Sequence, residues 1–301
     1  MAEGSIPGAP RAGAWDHLRR SRGAATALAV LAGLLALALL APLISPQNPY
    51  DLAQLDVVNA RLPPGARSAA GRLFLLGTDE QGRDILSAIL SGLRISLEVG
   101  LASTAIALVA GTAAGILAAW AGGAGEAALM RAVDLQLSFP AILIALVLLA
   151  VLGEGSGKVI AALAAAQWAY FARSVRSAAL VEMAREYIEA ARGLGLPAAR
   201  IVALHLLPNC LPPLIVVATV QAAAAITLEA TLSFLGLGVP ITEPSLGLLI
   251  ANGFQYLLAG QYWISLFPGI ALVALIASIN VAGDGLREAL NPRLRGRETR
   301  R

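Results

Sequence analysis

The sequence predicts an all-α, polytopic membrane protein with six transmembrane helices, and three observations carry that reading. Of 301 residues, 57% are hydrophobic and only 14% are charged, where a soluble globular chain carries about 25%; mean hydropathy is +0.73. The apolar residues also come in charge-free blocks, several of them near the roughly 20 helical residues that a hydrocarbon core about 30 Å thick requires. Finally, the arginines collect between alternate blocks, as the positive-inside rule demands. A soluble enzyme is excluded on these grounds. Cys210 is the single cysteine, so it forms no intramolecular disulfide, and it matches no metal-ligand spacing. HExxH, CxxC and GxSxG motifs are absent, and the two histidines, His17 and His205, lie near no carboxylate cluster. No catalytic residue and no metal are therefore expected in this chain. No basic run alternates with aromatics, so no nucleic-acid partner is expected either.

Taken in order, residues 1–22 read as a cytoplasmic segment ending in Arg19, Arg20 and Arg22. The block 23–44 is longer than the roughly 7–15-residue apolar region of a cleaved signal peptide, and reads as span one. Residues 45–92 contain Pro46, Pro49, Pro63 and Pro64 and form an external loop. Span two covers 99–125, where Gly111 and Gly115 could permit close backbone approach, although the pattern is weak and simple helix packing is the preferred account. Span three covers 135–152 and tolerates Pro140 near one end. The glycine-rich turn 153–158 is no phosphate loop: its first Gly stands one residue too close to Lys158, and Val159 replaces the Ser or Thr that would hold magnesium. Span four has only the 14 residues between Lys158 and Arg173, about 21 Å at 1.5 Å per residue, with flanking charges that can snorkel. Span five covers 211–231.

Residues 244–283 are uncharged and fit one span or two, and charge parity decides. With both termini cytoplasmic, 16 of the 22 basic residues lie inside and six outside. A seventh span would export the six arginines of the tail 286–301. Residues 246–258 are therefore external or re-entrant, and span six is 263–282. Glu98 and Glu229 border the spans, where carboxylates are functional candidates by default. Glu229, near the outer end of span five, reads equally as a wet or capped interfacial group.

The cytoplasmic loop 173–208 has helix-forming composition over 174–193, with Glu182, Glu186 and Glu189 on one face and Arg185 four residues before Glu189. Gly193-Leu194-Gly195 interrupts it, Pro197 restarts a helix at a favoured first position, and a second helix over 198–206 stops before Pro208. These residues alone fit a protruding elbow and an amphipathic loop lying on headgroups equally well.

Glu189-Ala190-Ala191, then Gly195, then Leu207-Pro208 twelve residues further, resembles the EAA motif of binding-protein-dependent ABC importers. Residues 76–84 (Leu-Gly-Thr-Asp-Glu-Gln-Gly-Arg-Asp), 232–238 (Leu-Ser-Phe-Leu-Gly-Leu-Gly) and 283–287 (Gly-Asp-Gly-Leu-Arg) resemble the dipeptide, oligopeptide and nickel permeases among them. The resemblance implies an importer transmembrane domain over 23–285 in the bacterial inner membrane. It implies contact of Glu189, Ala190, Ala191, Gly195, Leu207 and Pro208 with an ATPase, Glu189 anchoring the loop by hydrogen bonds. The implied partners are a second homologous permease, two ATP-binding subunits that hold ATP and magnesium, and an external solute-binding protein. The implied cargo is a peptide, with nickel or another small solute as the alternative and a secondary transporter as the rival from a different class.

Overall fold

The computed structural model describes residues 22–49, 51, 55–68, 70–240 and 242–290; the segment 1–21 and most of the arginine-rich tail, both expected to be cytoplasmic, lie outside the described residues. The described chain is helical apart from one small two-stranded hairpin. The helices are α1 (Arg22–Ile44), α2 (Ile85–Ala121), α3 (Gly123–Leu137), α4 (Ala141–Leu152), α5 (Ser156–Met183), α6 (Glu186–Gly193), α7 (Ala198–Ile201), α8 (Leu207–Phe234), α9 (Leu246–Phe254) and α10 (Trp263–Leu290). The hairpin pairs β1 (Ala66–Arg67) with β2 (Leu73–Phe74), antiparallel, inside the expected external loop.

Four stretches are long and apolar enough to cross a bilayer: Gly23–Ile44, Ile85–Ala121, Ala198–Phe234 and Trp263–Ala289. A fifth is the pair α3 and α4, bent by 88° at the break between them. The sequence predicts span three as one helix absorbing Pro140, but Pro140 instead ends one helix and opens the next. It has no N–H to donate and disfavours helical backbone at Phe139, and Ser138 closes α3 by donating to the carbonyl of Asp134 at 2.8 Å.

The fourth expected span, α5, is 28 residues long, about 42 Å, yet is not among those apolar stretches. Its environment explains this. Val159, Ala162, Leu163, Ala169, Phe171, Ala172 and Val175 have no exposed surface, so α5 faces protein rather than lipid and needs small residues more than greasy ones. The helix also continues past Arg173 to Met183, so the helix expected over 174–193 is divided: its first half extends α5, and only Glu186–Gly193 stands apart as α6. The segment after α8 holds the nine-residue α9, about 14 Å long, too short to cross the bilayer by itself.

Helix α2 runs through the centre of the molecule. Its buried residues contribute to three apolar clusters: one with α1, α8, α9 and α10, one with α5 and α8, and one with α4, α5 and α8. Gly111 and Gly115 make the α2–α5 contact possible. A Cβ at Gly111 would stand 2.4 Å from the carbonyl oxygen of Trp168, and one at Gly115 would stand 2.5 Å from that of Ala172. These obstacles are backbone atoms, which cannot swing aside. Gly115→Leu should therefore destabilise the chain by at least the ~1–3 kcal/mol typical of overpacking, lowering the thermal midpoint in detergent. Gly157→Ala, where no atom lies within 4 Å, is the matched control. Equal midpoints for the two variants would contradict the close-packed contact.

Candidate functional site

The elbow is built from the end of α5 to the start of α8. Helix α6 ends in a Schellman motif: Leu196 N–H donates to the carbonyl of Ala191 at 3.2 Å and Gly195 N–H to that of Arg192 at 2.9 Å. Gly195 occupies the left-handed position of that motif at φ +72°, which a glycine adopts without a Cβ penalty. The motif's usual apolar contact is present too, since Leu196 packs against a small core of Ile188, Ala191 and Ile201 together with Trp120. The guanidinium of Arg192 lies 5.1 Å above the Trp120 ring, a cation–π contact. Trp120 is the penultimate residue of α2, so the elbow is fastened to the end of the central helix.

The two alanines of the expected motif face opposite ways. Ala191 is buried against Trp120's cluster, whereas Glu189 and Ala190 are exposed. Gly195 is exposed, and a Cβ placed on it would meet no atom within 4 Å; Leu194 beside it is 81% exposed. Glu189 does not pair with Arg185; Arg185 lies 4.0 Å from Glu182 instead. The Glu182 carboxylate also accepts from the hydroxyl of Tyr187 at 2.6 Å, tying α6 to the end of α5. Leu207 is half-buried and Pro208 exposed.

The second elbow helix does not stop before Pro208. After α7, a π turn over Val202–Leu206 leads straight into α8. The wider turn shifts the bonding register where Pro208 has no donor, and the side-chain amide of Asn209 donates to the carbonyl of His205 at 2.6 Å. The elbow is therefore continuous with α8 as well as seated on α2.

At the opposite end of α2, residues 77–84 form a tight knot. One oxygen of the Asp79 carboxylate accepts from the N–H groups of Gln81 (2.8 Å) and Arg83 (2.9 Å), the other from Nε of Arg83 at 2.7 Å. Both side chains are almost wholly buried. Thr78 donates its hydroxyl proton to the carbonyl of Asn59 and accepts from the N–H of Leu62, and its own carbonyl accepts from the indole of Trp263 at 3.2 Å. Asp84 caps α2 by accepting from the N–H of Ser87 at 2.9 Å. Its own N–H donates to the side chain of Gln47 at 2.7 Å, which joins the end of α1 to the start of α2. Burial pushes the Glu80 carboxyl above its usual range, with the Asp79 charge adding to the effect. The segment's residue types thus serve architecture: they clamp the hairpin loop and the tops of α1, α2 and α10 together.

Glu229 is capped rather than wet. Fully buried in α8, it accepts from the hydroxyls of Ser96 (3.0 Å) and Ser233 (2.7 Å), and Ser245 reaches the same carboxylate. Ser96 also accepts from the N–H of Leu246 at 3.3 Å. One carboxylate thus joins α2, α8 and α9. The Ser233 partner, one helical turn on, is visible in the sequence; the partners from distant segments are not. Glu229→Leu should leave buried hydroxyls without an acceptor, at about 1–3 kcal/mol, lowering the thermal midpoint. Glu229→Gln keeps one acceptor oxygen and should cost less. A Leu variant as stable as the parent would contradict this capping role. Among the described residues, no group of His, Cys, Asp and Glu is placed to hold a metal ion.

Residues 111–296 match the family described as binding-protein-dependent transport system inner membrane component, and residues 10–64 match the N-terminal transmembrane domain of oligopeptide transport permease C. The chain is 41% identical over 280 residues to a putative peptide transport system permease protein of Brucella suis, covering 93% of this chain and 90% of that one. It is 36% identical over 290 residues to the dipeptide transport system permease protein DppC of Escherichia coli K12, covering 96% and 95%. It is 35% identical over 281 residues to the di/tripeptide transport system permease protein DppC of Pseudomonas aeruginosa, covering 93% and 91%. Among solved structures, a chain of the MetNI methionine ABC transporter in an inward-facing conformation superposes with a TM-score of 0.57 at 24% identity, over 69% of this chain and 98% of that one; at that identity the likeness concerns the fold. On its sequence matches this chain is an ABC-importer permease, belonging to the family of binding-protein-dependent transport system inner membrane components.

Proposed function

We propose that this chain is the permease subunit of an ATP-driven importer of short peptides, and that its elbow carries the motion of separate ATPase subunits into the membrane. The relatives named as dipeptide and di/tripeptide permeases support peptide over nickel as cargo. The chain spans the inner membrane six times with both termini cytoplasmic, and pairs with a second homologous permease, two ATP-binding subunits and an external solute-binding protein. ATP and magnesium belong to the ATP-binding subunits.

One observation carries the mechanism: the elbow is stiff, exposed on one side and fixed on the other. Its outward side presents Glu189, Ala190, Leu194 and Gly195 to a partner. Its inward side locks Ala191 and Arg192 onto Trp120 at the end of α2. Helix α2 has 37 residues, about 55 Å at 1.5 Å per residue, and ends in the Asp79–Arg83 knot on the far side. A push on the elbow therefore tilts one continuous rod and rocks the bundle between inward-open and outward-open states, the alternating access of transporters generally. Leu207 and Pro208 carry the same push into α8.

The test is reconstitution of the assembled transporter with its binding protein in vesicles. ATP-dependent uptake of a labelled dipeptide is expected, with none when ATP is withheld. ATP-independent uptake by this chain alone would favour a secondary transporter. Topology is checked separately: Leu75→Cys, exposed in the hairpin loop, should react with an impermeant maleimide from outside, and Leu194→Cys only from inside. The reverse pattern would invert the orientation.

A further inference from the structure

Besides the elbow and the knot, the described residues enclose a cavity of about 740 Å³, well within the range of ligand pockets, roughly 300–1,000 Å³. It lies between the end of α1, the third and fourth turns of α2, the start of α5 and the segment before α9, and its lining includes Arg94, Glu98, Ser91, Asn48, Ser156 and Glu243. We propose that this cavity binds the zwitterionic backbone of a short peptide, Arg94 taking the carboxylate and Glu98 with Glu243 taking the ammonium group. The proposal rests on the import reading above, whose topology puts the cavity at the outer face of the membrane.

Three features point to a ligand of that chemistry. Arg94 and Glu98 sit one helical turn apart on the exposed side of α2, and neither forms an ion pair with the other or with any other described residue. Charges at the edge of an apolar helix are costly and mark functional positions, and an uncommitted guanidinium is suited to a bidentate grip on a carboxylate. Second, the spacing fits. Side chains one turn apart start about 5–6 Å from each other, and the ends of a dipeptide are at most about 7 Å apart at roughly 3.3–3.6 Å per residue. Third, Glu243 is already held by a hydrogen bond from Ser156, so a second carboxylate is fixed in the lining of the same cavity without being neutralised. The side chain of Ser91 adds a polar group for the peptide amide.

The experiment measures equilibrium binding of radiolabelled Ala-Ala to the nucleotide-free assembled transporter in nanodiscs without its binding protein. Ala-Ala amide, N-acetyl-Ala-Ala and added phosphatidylethanolamine serve as competitors. Arg94→Gln should weaken Ala-Ala about tenfold or more, as loss of a charge-assisted bond implies, and should erase the preference for Ala-Ala over its amide. Glu98→Gln should reduce the preference over the N-acetyl form and Glu98→Gln/Glu243→Gln should erase it, while Arg94→Lys retains most of the affinity. No binding by the parent complex, losses of affinity with both preferences intact, or displacement by phosphatidylethanolamine alone (a lipid-headgroup site) would each overturn the proposal. ATP-driven uptake by the same preparation in vesicles reports the import reading independently: uptake without this site sinks only the cavity, and absence of uptake sinks the reading beneath it.

Discussion

Gly195→Asp is expected to abolish ATP-driven uptake to background while the permease still inserts and folds. The fold tolerates the change for two reasons. No atom stands within 4 Å of a Cβ at this position, and Asp is among the residues that enter the left-handed region most readily, so the φ of +72° costs no more than roughly 1–2 kcal/mol. Transport fails instead because a carboxylate and its hydration shell now project beside Leu194, from the exposed side of the elbow, where an ATPase has to seat closely. Gly195→Ala separates the two effects: it bears a backbone cost at least as large as that of Asp but adds no charge, and should keep measurable uptake. Uptake in reconstituted vesicles, with co-purification of the ATPase subunits as the docking readout, checks both. Parental uptake by the Asp variant would remove Gly195 from the coupling surface.

Asp79→Ala has the largest effect expected on stability. It strips a buried guanidinium of the carboxylate it pairs with and frees the N–H groups of Gln81 and Arg83 that the same side chain holds. Breaking a buried pair from one side costs roughly 3–5 kcal/mol, which is much of the ~5–15 kcal/mol that holds a typical folded domain. The double variant Asp79→Leu/Arg83→Met should recover a large part of the loss, because the penalty comes from the stranded charge rather than from the missing attraction. Thermal midpoints of the purified transporter decide the matter. A single variant as stable as the parent would mean that the knot does not hold the tops of α1, α2 and α10.

Much of this architecture is legible in the residues. Blocks of uncharged sequence place the long helices because a bilayer tolerates little else, and the proposed six-span topology rests on arginine parity. The left-handed turn at Gly195 follows from a glycine just past a helix-forming run. What the sequence hides is contact between distant segments. Ala191 turns inward because Trp120, two spans earlier in the chain, provides the surface it packs on, and no local pattern distinguishes it from the exposed Ala190. Proline is the other source of difference. Pro140 produces an 88° bend rather than a mild kink, while Pro208 fails to end a helix because a π turn and the amide of Asn209 absorb its missing donor. Small residues have the same ambiguity: α5 reads as a doubtful span by hydropathy, yet its alanines suit a helix surrounded by protein.

The central claim, that a partner ATPase grips the exposed side of the elbow while the other side stays locked to α2, is tested most directly by paired cross-linking. Single cysteines at Ala190 and Ala191, in the assembled transporter cycling with ATP, differ by one residue and face opposite ways. Ala190→Cys is expected to cross-link to the ATPase subunit with a yield that changes between nucleotide-free and ATP-bound states, and Ala191→Cys only to a cysteine placed at Trp120. Ala190→Cys reacting with lipid probes alone throughout the cycle would contradict the account.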